Sequence, residues 1–213
     1  MVKRIVRGGQ DVSTEDAPSP VEYLESPQVS RLTDAFRFWY DEAPSGYVRR
    51  VRGRYWLAFL LLRFTGARIG EILRVDDSRD IDFRSCEVWI PALGSQALRA
   101  TMRRVPVPPD VVAGVMEYLG AYPGMQGKVF ALDQGNFRRE FYRRAEEAEL
   151  PRRLSHPHIL RHSRAIELLR AGVPLTVVQN LLGHMLSSTT AVYLEIESSE
   201  ISVRVILESK GLL

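Results

Sequence analysis

Cysteine, lysine and long apolar runs are all scarce in this chain. A single cysteine, Cys86, among 213 residues excludes an intrachain disulfide and a cysteine-cluster metal site. The longest uninterrupted apolar run, Tyr55 to Leu62, is far shorter than the roughly 18 residues that a membrane span requires. Residues 1–20 carry charge with no apolar segment behind it, unlike a secretory signal. These absences predict a cytoplasmic protein with no membrane partner.

Lysine accounts for only three of the 29 basic residues, which leaves 26 arginines. Arginine binds phosphate bidentately, but a genome rich in G and C produces the same bias, and both interpretations stay open. The net charge of +3 is too small to indicate a partner, whereas its distribution is informative: residues 11–45 sum to −6 and the remainder to +9. The excess of basic residues outside residues 11–45 favours a polyanionic partner. Clustered charge of this kind, however, often marks only a solvent-exposed surface that binds no partner.

The length and ordinary composition predict one folded domain with short appendages. Residues 1–27, punctuated by prolines, are interpreted as a flexible N-terminal lead-in. We expect the folded domain over residues 28–197 and a C-terminal tail over residues 198–213.

Hydrophobic periodicity predicts a mainly α fold with a small three-stranded antiparallel sheet at one edge. Strands are predicted at residues 80–83, 86–90 and 104–107, joined by one long hairpin loop. The predicted helices cover residues 30–42, 51–64, 67–74, 109–121, 134–149, 157–171, 174–182 and 188–196.

Four short segments combine residue types that can carry chemistry. They read TGARIGE from Thr65, HPHILRHS from His156, LLGHM from Leu181 and TTAVYLEI from Thr189. Each is weak alone, because with 26 arginines an H-x-x-R pair arises easily by chance. Their order is the informative feature.

In that order the segments resemble the catalytic domain of tyrosine recombinases, the phage-integrase and Xer-type site-specific enzymes. The family pattern is T-G-x-R-x-x-E, then H-x-L-R-H, then L-G-H, then a tyrosine about nine residues later. Here Tyr193 follows His184 by nine residues. The resemblance implies a site-specific recombinase or integrase that cleaves and rejoins double-stranded DNA without a metal ion or other cofactor.

Carried over residue by residue, the resemblance implies a catalytic set of five residues with one acidic neighbour, Glu71. Two arginines clamp the scissile phosphate, two histidines lie beside it, and a tyrosine is the nucleophile. These are Arg68, Arg161, His158, His184 and Tyr193. Two rigid guanidinium groups suit this task, because the transition state places extra negative charge on the two non-bridging oxygens. The phenol is protonated at neutral pH and requires a base, for which His158 is the candidate.

The chain departs from the family pattern in the long hairpin loop, where the family usually has a lysine that protonates the leaving oxygen. The loop from Pro91 to Arg104 contains no lysine. Arg99 is a possible substitute, although a guanidinium is a poor proton donor. Three interpretations stay open. The chain is a slower enzyme that uses Arg99 or water as the proton donor, an enzyme whose histidines also take over this task, or a recombinase-derived DNA-binding accessory or regulatory protein.

A second departure is the short N-terminal part, since full recombinases carry an additional helical domain there. The chain is either a minimal recombinase, a fragment of a longer protein, or a subunit that relies on partners to hold the DNA. Two arginine clusters could bind DNA phosphates, with solvated helix faces as the alternative. They comprise Arg49, Arg50, Arg52 and Arg54, and Arg138, Arg139, Arg143 and Arg144.

The tail beyond Tyr193 spaces apolar residues as a short element that ends at Gly211. The resemblance implies that this element docks on a neighbouring protomer, within a homo-oligomer assembled on DNA. Packing on its own chain is the open alternative.

Overall fold

A computed structural model describes residues 22–91, 102–183 and 200–213 of the chain. Within these ranges the structure is mainly helical with one small sheet, which confirms the predicted fold class. None of the described helices is long and apolar enough to cross a membrane.

The described residues form eight α-helices. Their bounds are α1 Ser26–Asp41, α2 Gly46–Thr65, α3 Ile69–Ile72, α4 Pro109–Ala121, α5 Gln134–Glu147, α6 Ile159–Arg170, α7 Leu175–Leu182 and α8 Glu200–Ser209. Helix α2 is the central element and packs against α1, α4 and α6. Residues 57–62 of this helix are all apolar and all buried, so this stretch is enclosed on every side.

Three antiparallel strands form the sheet in the order β1 (Ile81–Asp82), β2 (Glu87–Pro91) and β3 (Met102–Pro106). Val88 pairs with Ile81 on one side and with Val105 on the other, and all three side chains are buried. The sheet contacts α7 through β3 and α3 through β2. It therefore joins segments of the chain that lie more than a hundred residues apart.

Aromatic rings fill the core between α1, α2 and α5. Phe36 stacks on Phe59 with ring centroids 4.2 Å apart, and Phe141 lies 5.9 Å from Phe36 in a tilted arrangement. None of these three side chains is exposed. Offset and tilted aromatic pairs stabilise a core beyond the area they bury, so this cluster fixes α5 against the central helix.

Most element bounds differ from the sequence prediction by a few residues, the predicted helix at residues 188–196 lies outside the described residues, and two of the differences have clear local reasons. Helix α1 begins at Ser26 because Pro27 fits the first turn, where its missing N–H costs nothing. Leu24, just before it, is 3% exposed, and its amide donates to Ser163 Oγ at 2.8 Å. Strand β2 begins at Glu87 because Cys86 has a φ of 54° and closes the preceding turn.

Helix α8 packs on the body of its own chain. Leu207 is 1% exposed, and the carbonyl oxygen of Leu212 accepts a hydrogen bond of 3.1 Å from Arg164. Arg204 also donates to the carbonyl oxygen of Ser85. These contacts place α8 and the residues after it against their own chain, and docking on a neighbouring protomer stays a prediction.

Candidate active site

The segment from Thr65 to Arg68 makes a sharp exit from α2. Thr65 Oγ1 donates to the carbonyl of Leu61 at 2.5 Å and accepts from the amide of Ala67 at 3.2 Å. Gly66 ends the helix with a φ of 62°, a left-handed conformation that favours glycine. The turn delivers Arg68 to the start of α3.

Glu71 holds Arg68 from within the protein. Its Oε2 accepts the backbone N–H of Arg68 at 2.8 Å, and its Oε1 lies 3.5 Å from the Arg68 guanidinium. The Glu71 side chain is 1% exposed, whereas that of Arg68 is 41% exposed. Burial alone would raise the pKa of Glu71, but the bonds from Arg103 and Arg68 outweigh it and keep the pKa below its usual range.

Arg161 is the buried arginine of the site. Its Nη1 donates to the carbonyl oxygens of Gly66 at 2.9 Å and Leu182 at 2.6 Å, so it ties the ends of α2 and α7 to α6. No described residue accepts a hydrogen bond from its Nη2. Burial, followed by the positive charge of Arg68, lowers the pKa of Arg161 to about 10.

His158 lies immediately before α6, one turn from Arg161. Its ring meets that of His162 edge-on, with centroids 4.8 Å apart. The residue is exposed as a whole, but its ring is packed on one side, and this desolvation lowers its pKa first, followed by the charges of His162 and Arg161. The imidazole is therefore mostly neutral at neutral pH.

Arg68 and His158 line one open cavity of about 520 Å³ between α3, α5 and the start of α6. Its wall from α5 carries Gln134, Arg138 and Tyr142. Tyr142 is 49% exposed, which is unusual for a large aromatic side chain. The full lining is Arg68, Ile69, Gly70, Gln134, Arg138, Tyr142, His156, Pro157 and His158.

Sequence reasoning missed one member of this cluster, Arg103 on β3. Its Nη2 lies 2.8 Å from Glu71 Oε2, its Nη1 3.3 Å from Glu71 Oε1, and its Nε donates to the carbonyl of Leu181 at 2.9 Å. No spacing along the chain signals this contact, because Arg103 and Glu71 are brought together only by the sheet. Arg68 and Arg103 both bind the Glu71 carboxylate, and Arg161 lies close enough to interact with its charge, so the cluster carries excess positive charge.

Four of the predicted site residues therefore lie together: Arg68, Glu71, His158 and Arg161. The predicted nucleophile Tyr193, His184 and the possible lysine substitute Arg99 lie outside the described residues. Among the residues that the structure describes, no group of three or more His, Cys, Asp or Glu side chains is arranged to hold a metal ion.

The arginines predicted to bind DNA have different surroundings. Arg52 donates to the carbonyls of Trp39 and Glu42 at the C-terminal end of α1, and Arg54 donates to three carbonyls between residues 128 and 131, so both guanidinium groups bind backbone of their own chain. Arg144 is only 5% exposed and packs 4.7 Å from the Trp39 ring centroid. This burial contradicts the prediction that Arg144 binds DNA phosphates at the surface.

The remaining arginines of the two predicted clusters keep accessible surface. Arg49 lies over the ring of Tyr40 and Arg50 over that of Tyr47, and both are half-buried. The exposed ones are Arg138, Arg139 and Arg143. Only Arg138 among these five lines the cavity.

The profile of the phage integrase family matches residues 23–200, most of the chain. The chain belongs to this family. A tyrosine recombinase of Thermosipho africanus is 31% identical over 201 residues, which cover 85% of this chain and 64% of that protein. The phage integrase domain described here thus spans less than two thirds of that relative.

Solved structures show the same fold. The XerA recombinase superposes with a TM-score of 0.63 at 21% identity, covering 91% of this chain and 66% of that one. The XerH site-specific recombinase, solved bound to its difH substrate, gives a TM-score of 0.61 at 21% identity and covers 86% and 50% of the two chains. The described fold is that of a tyrosine recombinase catalytic domain.

Proposed function

We propose that this chain is the catalytic domain of a site-specific DNA recombinase that cleaves and rejoins DNA through Tyr193. The observation that carries the proposal is the buried guanidinium of Arg161. It keeps one nitrogen without a partner among the described residues, and its pKa is lowered by burial and by nearby Arg68. An anion bound between Arg161 and Arg68 would accept a hydrogen bond from that nitrogen and would offset the buried positive charge. A phosphate of the DNA backbone is the anion that strand cleavage requires.

The proposed reaction needs no metal ion, because the arginines take the charge that a metal would otherwise neutralise. Arg68 and Arg161 bind the two non-bridging oxygens of the scissile phosphate. The Tyr193 oxygen attacks phosphorus, the bond to the 5′-oxygen breaks, and a 3′-phosphotyrosyl link forms. Attack by a 5′-hydroxyl on that link reverses the step and releases the tyrosine. The phosphodiester energy is kept throughout, so no nucleotide cofactor is consumed.

His158 is the proposed base for the Tyr193 proton. Its pKa is lowered, so the neutral imidazole needed to accept a proton is the main form at neutral pH. His184 is proposed to donate a hydrogen bond to a phosphate oxygen. Glu71 acts through Arg68, which it fixes at the edge of the cavity.

The lysine-free hairpin loop supports a second candidate function, a DNA-binding accessory or regulatory protein with little strand exchange. If the chain is an enzyme, Arg99, water or one of the histidines must supply the proton for the leaving 5′-oxygen. Substitution of Arg99 by alanine slows cleavage further if Arg99 has this role, and an unchanged rate assigns the proton to water or histidine.

We also propose that the protein works in the cytoplasm on the nucleoid, as a homo-oligomer assembled on double-stranded DNA. The exposed Arg138 beside the cavity, together with Arg139 and Arg143 on the same helix, suits contact with the DNA backbone. Exchange of the tail between protomers would require α8 to leave the position it holds on its own chain.

Covalent trapping on nicked DNA tests the proposal directly. The parent protein should give a protein–DNA band that survives denaturation, and Tyr193→Phe should lose this band while still binding DNA. Tyr142→Phe is the matched control, because Tyr142 is an exposed tyrosine in the wall of the same cavity. A band lost in Tyr142→Phe and kept in Tyr193→Phe places the nucleophile on α5 instead. No band in any protein, with DNA binding intact, favours the accessory protein.

A further inference from the structure

Arg103 connects two motif segments that are far apart in the sequence. Its guanidinium takes both carboxylate oxygens of Glu71, at 2.8 and 3.3 Å, and its Nε reaches the carbonyl of Leu181 at 2.9 Å. The Arg103 side chain is 14% exposed and that of Glu71 is 1% exposed. All three guanidinium nitrogens are therefore used, in a largely dry environment where such bonds are strong and directional.

Gly183 gives a second, independent observation. Its φ is 69°, and a Cβ atom built on it would lie 2.8 Å from Arg103 Nη1 and 2.9 Å from Cζ. The guanidinium thus lies flat against the backbone at the end of α7, and only glycine leaves room for it. The next residue along the chain is His184, and Tyr193 follows nine residues later.

We propose that Arg103 is a positioning residue that fixes the C-terminal end of α7 relative to Arg68. This inference rests on the proposed function for its effect on catalysis. Glu71 is the shared partner, since it binds the backbone N–H of Arg68 with the same Oε2 that receives Arg103 Nη2. Loss of the Arg103 contacts would free Glu71 and with it Arg68, and a misplacement of a catalytic group by about 1 Å can cost on the order of 10²-fold in rate.

Lysine cannot replace Arg103 in this arrangement, because an ammonium group is a single point of charge. It cannot face both oxygens of Glu71 and the Leu181 carbonyl in one plane. Arg104, the next residue on β3, provides a matched control. It lies 4.9 Å from the Trp89 ring centroid and 3.7 Å from Glu87, so it also belongs to an ion pair of the sheet.

The experiment compares Arg103→Lys with Arg104→Lys by two readouts. The first is amide hydrogen exchange at Arg68, whose N–H is bound to Glu71, and at Gly183, whose N–H is bound to the carbonyl of Gln179 at 2.9 Å. The second is the rate of covalent complex formation, measured beside DNA affinity. We expect Arg103→Lys to speed exchange at both amides by about tenfold or more and to slow covalent complex formation by about 10- to 100-fold, with DNA affinity within about threefold. Arg104→Lys should change none of these.

Unchanged exchange at both amides overturns the proposal, as does an equal effect of Arg104→Lys. A parallel loss of DNA affinity and covalent complex formation also overturns it, because a general structural defect lowers both. If the parent protein forms no covalent complex, the proposed function fails, while the exchange readout still decides the role of Arg103. Should Arg103→Lys not fold, Glu71→Gln breaks the same ion pair with almost no change in volume, and failure of both to fold assigns Arg103 to stability alone.

Discussion

Arg161 donates a hydrogen bond of 2.9 Å to the carbonyl oxygen of Gly66, a residue 95 positions earlier in the chain. The same Nη1 reaches the carbonyl of Leu182 at 2.6 Å. Gly66 and Leu182 lie at the C-terminal ends of two helices, where carbonyl groups lack partners and carry partial negative charge. Nη1 of Arg161 is therefore structural, whereas Nη2 has no partner among the described residues and is the nitrogen proposed to bind phosphate.

Arg161→Lys separates the roles of these two nitrogens. The ammonium group can still approach the helix ends, but it cannot also present a second, fixed donor to a phosphate. We expect single-turnover DNA cleavage to fall by about 10²- to 10³-fold, the usual cost of losing one preorganised donor. Circular dichroism should show the parent helix content. A cleavage rate within about threefold of the parent would contradict the phosphate-binding role proposed for Arg161 Nη2.

Gly66→Ala tests the turn that delivers Arg68. The φ of 62° strains any residue with a Cβ, and that atom would lie 2.4 Å from Cδ2 of the buried Leu182. We expect a loss of roughly 1 to 3 kcal/mol in the free energy of unfolding, measured by urea denaturation. Gly120→Ala is the control, because nothing lies within 4 Å of its Cβ position in α4. That change should leave stability unaltered or raise it by up to about 1 kcal/mol, and equal losses would show that the Gly66 turn is not special.

The sequence predicts those features of the fold that depend on near neighbours. The amphipathic spacing of α1 and the apolar run of α2 each follow from how much of that helix is buried. Arg68 and Glu71 are only three residues apart, so their contact is also a local one. The burial of Arg144 follows from the same near-neighbour spacing. Arg144 follows Phe137 by seven residues and Phe141 by three, which places it on the buried face of α5 rather than on the surface.

The contacts made by Arg103 could not be predicted in this way. Its partners Glu71 and Leu181 lie 32 and 78 residues away, and only the sheet and the packing of α7 bring them together. Periodicity describes which face of an element is buried, but it does not specify the partner element. The same limit applied to α8, for which packing on its own chain and docking on a neighbour were equally compatible with the apolar spacing.

Glu167 predicts how stability depends on pH. It binds both terminal nitrogens of Arg63, at 2.8 and 2.6 Å, and accepts from Arg164 at 2.7 Å. Burial opposes the charged form, but these partners prevail and lower the pKa of Glu167 to about 2. The folded pKa is below the unfolded value, so the stabilisation is complete above about pH 4.5 and is lost as the pH falls toward 2. Burial also lowers the pKa of Arg164, which offsets part of the gain.

Urea denaturation between pH 6 and pH 3 measures this contribution. The parent should lose roughly 1 to 2 kcal/mol more than Glu167→Gln over this interval, because the variant has no carboxylate to protonate. Glu146→Gln removes an exposed carboxylate from α5 and controls for the change in net charge. Parallel curves for the parent and Glu167→Gln would rule out this cluster as a source of acid sensitivity.

Arg138 and Arg144 occupy the same helix and should respond differently to substitution by alanine. Arg138 is exposed beside the cavity, so its loss removes one phosphate contact in the proposed complex. We expect DNA affinity to fall and the slope of log K against log salt concentration to become shallower by about 1. Arg144 is buried against Trp39 and lies 2.7 Å from Glu147, so its loss should lower the free energy of unfolding by about 1 to 3 kcal/mol without changing the slope.

Fluorescence anisotropy on one DNA duplex at several salt concentrations gives both slopes, and urea denaturation gives both stabilities. The pair is informative because each variant controls for the other: they remove the same charge from the same helix, and only the burial of the side chain differs. A shallower slope for Arg144→Ala would mean that its guanidinium leaves the Trp39 site when DNA binds. An unchanged slope for Arg138→Ala would place the DNA backbone away from this wall of the cavity, since a counterion is released wherever an arginine neutralises a phosphate.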